Sequence, residues 1–114
     1  MKIERFENII AWQKAKKLTI AIYSLFQECK DYGFRDQICR AAVSIMNNIA
    51  EGFERQTNKE LKQFLFIAKG SSGEVRSMLH LASELNYRAV HDYKLLREHT
   101  LEIAKILSGF IQKL

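Results

Sequence analysis

Residues 34–55 read FRDQICRAAVSIMNNIAEGFER, and three interleaved seams run through them. Ile38, Ala42, Ile45, Ile49 and Gly52 recur at steps of three and four, which stacks them on one face of a helix. One position on, Cys39, Val43, Met46, Ala50 and Phe53 form a second apolar seam. One position back, Gln37, Ala41, Ser44, Asn48, Glu51 and Arg55 form a seam of polar and small residues, leaving Arg40, Asn47 and Glu54 for water. A peripheral bundle helix needs a single apolar stripe roughly 100° wide, and this one carries about twice that. Its first face is expected in a core, and its second against another subunit.

Working outward, helical periodicity extends in both directions. A helix over about Glu7–Lys30 carries Ala11, Ala15, Leu18, Ile22, Leu25 and Cys29 as its seam, with Trp12, Tyr23 and Phe26 off it. Gly33 is placed to end that helix in the left-handed conformation. Thr57 and Glu60 have the spacing of a capping box and open a third helix that runs to about Asn86. That helix turns Leu61, Phe64, Ala68, Ser71 or Ser72, Val75, Leu79 and Ala82 to one side. After Tyr87–His91, Asp92 is placed to cap a fourth helix carrying Leu95, Leu96, Ile103, Ile106, Leu107, Phe110 and Ile111. Gly70 and Gly73 sit inside the third helix, where each costs about 0.5–1 kcal/mol relative to alanine. Close approach of a neighbouring helix is the expected return, because a phosphate loop would need a strand before it.

The connections are two to six residues long by this count, so consecutive helices must run antiparallel. The expectation is an all-α, up-down-up-down four-helix bundle formed as one domain over residues 1–114. With 114 residues, no proline and five glycines, the chain lacks the turn chemistry of a β fold. Cys29 and Cys39 match no zinc or disulfide spacing and are expected as reduced, half-buried thiols. No apolar run approaches the roughly 18 residues of a membrane span, and the N-terminus lacks a signal-peptide core, so a cytoplasmic protein without membrane contact is expected.

Enzymatic constellations are missing from the sequence. No glutamate has a histidine three residues later, as a di-iron bundle needs. Arg76 and His80 are too close for the arginine-to-histidine spacing of bundle ribonucleases, and no serine lies in a nucleophile elbow. His80, His91 and His99 read as surface or helix-end residues. A non-enzymatic protein without cofactor or metal is expected.

The net charge of +5 is concentrated in residues 1–30 (+3) and 58–90 (+2). Lys62, Lys69 and Arg76 recur every seven residues and so line one helix face over about 21 Å. Lys59 extends that edge, and Lys14 and Lys17 are the corresponding cluster on the first helix. These six are the candidate nucleic-acid contacts. On a single copy they also fit an ordinary solvated face; repeated by an oligomer, weak phosphate contacts gain avidity. The alternative is a protein–protein interaction module with no nucleic-acid contact of its own.

Three segments carry a family resemblance. They are Tyr32–Ile45, the run Asn48-Ile49-Ala50-Glu51-Gly52 with Arg55, and Phe64–Ser71 with Glu74; Phe6 and Ala11–Ala15 fit as well. The chain resembles the bacterial four-helix-bundle family encoded in intervening sequences of 23S ribosomal RNA genes. It is also similar to the accessory bundle proteins of diversity-generating retroelements, which are basic, pentameric and associate with nucleic acid and a reverse transcriptase. The resemblance implies an antiparallel bundle and a homopentameric ring, with no assigned biochemical role. The family's polar signature falls on Arg40, Ser44, Asn48, Glu51, Arg55 and Glu74. Those residues are expected to form a buried or interfacial arginine–carboxylate network that sets helix register and subunit orientation. Gly73 stands where the family usually has a larger residue.

Overall fold

The computed structural model describes residues 3–87 and 90–114, without the side chains of Val90 and His91. A single 3-10 turn, Phe6–Asn8, precedes four α-helices: α1 (Ile10–Leu25), α2 (Tyr32–Phe53), α3 (Asn58–Glu84) and α4 (Val90–Gln112). Each helix packs on its sequence neighbours, α1 also packs on α4, and α1 and α3 lie diagonally opposite across the core. This is an antiparallel four-helix bundle, 43 × 21 × 19 Å.

One apolar cluster draws on all four helices. Ala11, Ala15, Leu18 and Ile22 of α1 meet Ile38, Ala42, Ile45 and Ile49 of α2. Leu65, Ala68, Val75, Leu79 and Ala82 of α3, with Tyr93, Ile103 and Leu107 of α4, complete it. The first seam of α2 is therefore core throughout. In its second seam, Cys39 is buried while Val43, Met46, Ala50 and Phe53 are half-buried. Both cysteines are free thiols. Leu95, expected on the core side of α4, is exposed, and Tyr93 and Thr100 take the interior places instead.

Buried hydroxyls join the helices at two levels. The Thr19 Oγ1 lies 2.8 Å from the Ala15 carbonyl and 3.1 Å from that of Ala42, bridging α1 to α2. Ser72 Oγ donates to the Thr100 carbonyl at 2.8 Å, fixing the level at which α3 meets α4. Satisfied in this way, the hydroxyls avoid the desolvation cost of an unpaired buried donor.

The helix ends depart from expectation at several places. The first helix stops at Leu25, five residues early, because Phe26 turns into the core against Phe34 and Tyr93, at ring distances of 5.4 and 6.4 Å. Phe26, placed off the core by heptad counting, is thus wholly buried, whereas Leu25 is only half-buried. Gly33 does not adopt a positive φ; it lies in the first turn of α2, which begins two residues earlier than expected. Asp31 starts that helix by accepting from the Phe34 backbone N–H at 3.1 Å, so its capping signal outweighs the glycine's stop signal. The left-handed residue is Asn86 (φ 59°), after α3. There the N–H groups of Asn86 and Tyr87 reach back to the carbonyls of Ser83 and Ala82, the pairing of a Schellman motif.

Thr57 caps α3 as expected, accepting from the Glu60 N–H at 3.1 Å. Helix α4 begins at Val90, so Asp92 lies within its first turn rather than before it. Arg88, Ala89 and the His91 side chain, in the expected last connection, lie outside the described residues.

The glycines separate into two kinds. A Cβ on Gly52 would sit 2.7 Å from the Phe64 Cβ and 3.1 Å from Leu61 Cδ1, so α2 and α3 approach each other there as glycine alone permits. At Gly70 and Gly73 a Cβ would meet nothing within 4 Å. The expected close helix approach at those two positions is absent within the chain, because both face away from α2.

Candidate nucleic-acid interface

The azimuth of α3 is set by its partners. Ser71 bonds Ser44 on α2 at 2.9 Å, Glu74 accepts from Gln37 of α2, and Ser72 bonds α4. At 100° per residue, Lys62, Lys69 and Arg76 fall on the α4 side of Ser72, well away from Phe64, Ser71 and Glu74. The three cations therefore share the α3 flank that looks toward α4. Lys69 is exposed, and Lys62 and Arg76 are half-buried by their stems. Lys59 is exposed one turn before Lys62.

The cluster on α1 lies elsewhere. Lys14 Nζ is 3.2 Å from Glu102 Oε1 of α4, and Lys14, Lys17, His99 and Glu102 surround a recess of about 220 Å³ between those helices. The structure thus puts the two basic clusters on different faces, one on either flank of α4. Lys14 is also partly neutralised by its partner. Among the described residues the ion pairs are Arg5–Glu7, Lys14–Glu102, Arg35–Asp36 and Arg55–Glu51; Lys62, Lys69 and Arg76 join none of them.

Sequence counting missed the α4 side of this face. Since Thr100 points at α3 and Glu102 at α1, Arg97 and Lys105 fall on the α3 side and its outer edge. The clue was the i−3 spacing of Arg97 from Thr100, which carries no meaning until Thr100 is known to be buried.

The six polar signature residues do not form one cluster. Asn48 Nδ2 donates to the Ser44 carbonyl and hydroxyl at 2.8 and 2.9 Å, and Ser44 meets Ser71, making a half-buried ladder between α2 and α3. Glu74 belongs to the same seam through Gln37. Arg55 pairs with Glu51 at 3.5 Å one turn away and lies over the Phe64 ring at 4.8 Å. Those two side chains are 45% and 57% exposed, so within one chain the arginine–carboxylate part is not buried. Arg40 stands apart, lining an open groove of about 840 Å³ between α1 and α2 with Tyr23, Ser24, Gln27, Arg35, Asp36, Cys39 and Val43. The thiol of Cys39 is raised above its ordinary pKa by burial, which disfavours the thiolate.

Among the described residues, no group of three or more His, Cys, Asp or Glu side chains is arranged to hold a metal. No described helix is long and apolar enough to cross a membrane.

Residues 7–109 match the family model for the 23S rRNA-intervening sequence protein. A crystal structure of a protein of unknown function from the S23 ribosomal protein family of Bacteroides thetaiotaomicron VPI-5482 superposes with a TM-score of 0.84 at 25% identity. The superposition covers 90% of this chain and 98% of that one. No curated protein matched the chain.

Proposed function

Because the chain belongs to the 23S rRNA-intervening sequence protein family, we propose that it is a non-enzymatic, homopentameric bundle scaffold that holds RNA or DNA through its basic stripes with little sequence preference. The observation that carries this is the flank of Lys62, Lys69 and Arg76, where three cations line one helix without an ion pair to any described residue. Such a row contacts phosphates rather than base edges, which gives affinity without sequence readout.

Self-association has separate support. The chain exposes 7207 Å², against roughly 6,450 Å² for a compact monomer of its mass. Ile20 and Tyr23 of α1, Ile67 and Leu81 of α3, and Leu85 just after it contribute to that excess as exposed apolar side chains. In a ring, Arg40, Glu51 and Arg55 would meet a second copy and set its orientation, the interfacial form of the expected network. Glu51→Gln is then expected to lower the melting temperature of the oligomer.

The experiment is binding of a structured RNA across a salt series, with solution mass measured alongside. Affinity should fall steeply with salt, and Lys62→Glu with Lys69→Glu should abolish it at unchanged mass. Absence of binding at low salt, or a flat salt response, refutes the nucleic-acid role. An intact oligomer that binds no RNA or DNA would leave the protein–protein module as the better account.

A further inference from the structure

The outward edge of the basic flank carries an exposed aromatic ring. Phe66 is 54% exposed, one turn from Lys62 on one side and from Lys69 on the other. In a helix, a side chain leans toward the N-terminus, so the residue four places on normally covers the ring. Here that residue is Gly70, and Gly73 continues the gap; a Cβ at either would touch nothing within 4 Å. Gly70 thus leaves bare backbone beside an exposed phenyl ring and Gly73 extends it one turn further, although neither position needs a glycine for a close approach inside the chain. On the facing side of α4 Leu101 is 52% exposed, at about the level of Gly70 and Ser71, since Ser72 meets Thr100 and the two helices run antiparallel. Arg97 and Lys105 flank Leu101 on α4, while Glu98 sits on the outer side of that helix.

We propose that the nucleic acid held on this face is single-stranded, with one base stacked on Phe66 over the Gly70–Gly73 gap and its phosphates running along Lys62, Lys69 and Arg76 with Arg97 and Lys105 opposite. This rests on the nucleic-acid reading above and specifies its ligand. A duplex keeps its base faces stacked inside and can use only the cations. A single strand presents a π-face that an exposed phenyl ring receives, whatever the base. The glycines supply the clearance that a flat base needs beside the ring. A ring of subunits would present one such aromatic on each copy.

The test compares the parent protein and four variants, binding fluorescently labelled oligouridylate of about 20 nucleotides and an RNA duplex of the same length. Phe66→Ala should weaken single-strand binding by about 5- to 150-fold, the range of one lost base stack, and leave duplex binding unchanged. Phe66→Tyr keeps the π-face and should restore affinity. Gly70→Leu should weaken single-strand binding as well, because its side chain would lie on the ring, although it favours the helix. If Phe66→Ala and Gly70→Leu bind oligouridylate as tightly as the parent while Lys62→Glu with Lys69→Glu does not, the stacking assignment is overturned and the phosphate-binding function stands. If the parent binds neither probe at low salt, both fall. A change in solution mass on Phe66→Ala would place the ring in a subunit contact and overturn the stacking assignment.

Discussion

Replacing Gly52 with alanine tests how closely α2 and α3 approach. The added methyl would sit 2.7 Å from the Phe64 Cβ and 3.4 Å from the Leu61 carbonyl oxygen, atoms that cannot swing aside as a side-chain terminus could. Carbon atoms rest at about 3.5–4.0 Å, so the two helices must part locally by the order of 1 Å. Forcing a methyl into a packed interface costs about 1–3 kcal/mol, while alanine returns about 1 kcal/mol of helix propensity. The net expectation is a destabilisation of up to about 2 kcal/mol, or a fall in Tm of up to about 8 °C for a chain of this size. Gly70→Ala is the internal control: its methyl meets open space, so it should stabilise by about 0.5–1 kcal/mol. Urea unfolding followed by circular dichroism at one protein concentration reads both signs, since a self-associating protein's stability depends on concentration. Gly52→Ala as stabilising as Gly70→Ala would refute the close approach. A Gly70→Ala loss would show that the outer face of α3 is covered in solution.

Phe26→Ala should cost about 3–5 kcal/mol by emptying a buried aromatic site, and Leu25→Ala distinctly less; equal losses in urea unfolding would contradict the early end of α1. Thr57→Ala removes the α3 cap and should cost about 1 kcal/mol, with Thr57→Ser or Thr57→Asp retaining stability. Tyr87 Oη donates to Asp31 Oδ2 at 2.7 Å, tying together the α1–α2 and α3–α4 turns. That bond, and secondarily the Phe34 N–H, holds the Asp31 carboxyl below its ordinary range, and the same bond raises the Tyr87 phenol. The carboxylate's stabilisation is therefore present above the ordinary aspartate pKa and lost as pH falls through the depressed one. The phenol's is present below the ordinary tyrosine pKa and lost as pH rises through the raised one. A Tyr87→Phe variant should differ from the parent in Tm at neutral pH and converge with it at both extremes; a pH-independent difference would refute the coupling.

Much of this architecture was legible in the residues because helical periodicity is a local property. The seam of Ile38, Ala42, Ile45, Ile49 and Gly52 is buried as counted, and the Thr57 cap forms as counted. Errors gathered at helix ends and at the glycines. Asp31 and Gly33 both carry turn signals two residues apart, and propensity alone does not rank them. The ranking came from Phe26 and Phe34 packing together, a contact between helices that also buries a ring outside the heptad. The candidate site shows the same division. Seven-residue spacing puts Lys62, Lys69 and Arg76 on one face, but their side of α3 follows from Ser71 and Ser72 bonding different helices.

The sequence by itself determined four amphipathic helices, their order and their antiparallel run, since period, cap spacing and short connections are encoded within a few residues of one another. Tertiary structure decided which glycine is a contact and which is a gap. Gly52 and Gly70 carry the same absence of a side chain, and only the distance to a facing helix tells them apart. It also decided that Lys14 is paired while Lys69 is not, and that Arg97 belongs with α3's basic flank. These are relations between residues many turns apart, and they exist only once packing has fixed the rotation of each helix about its axis.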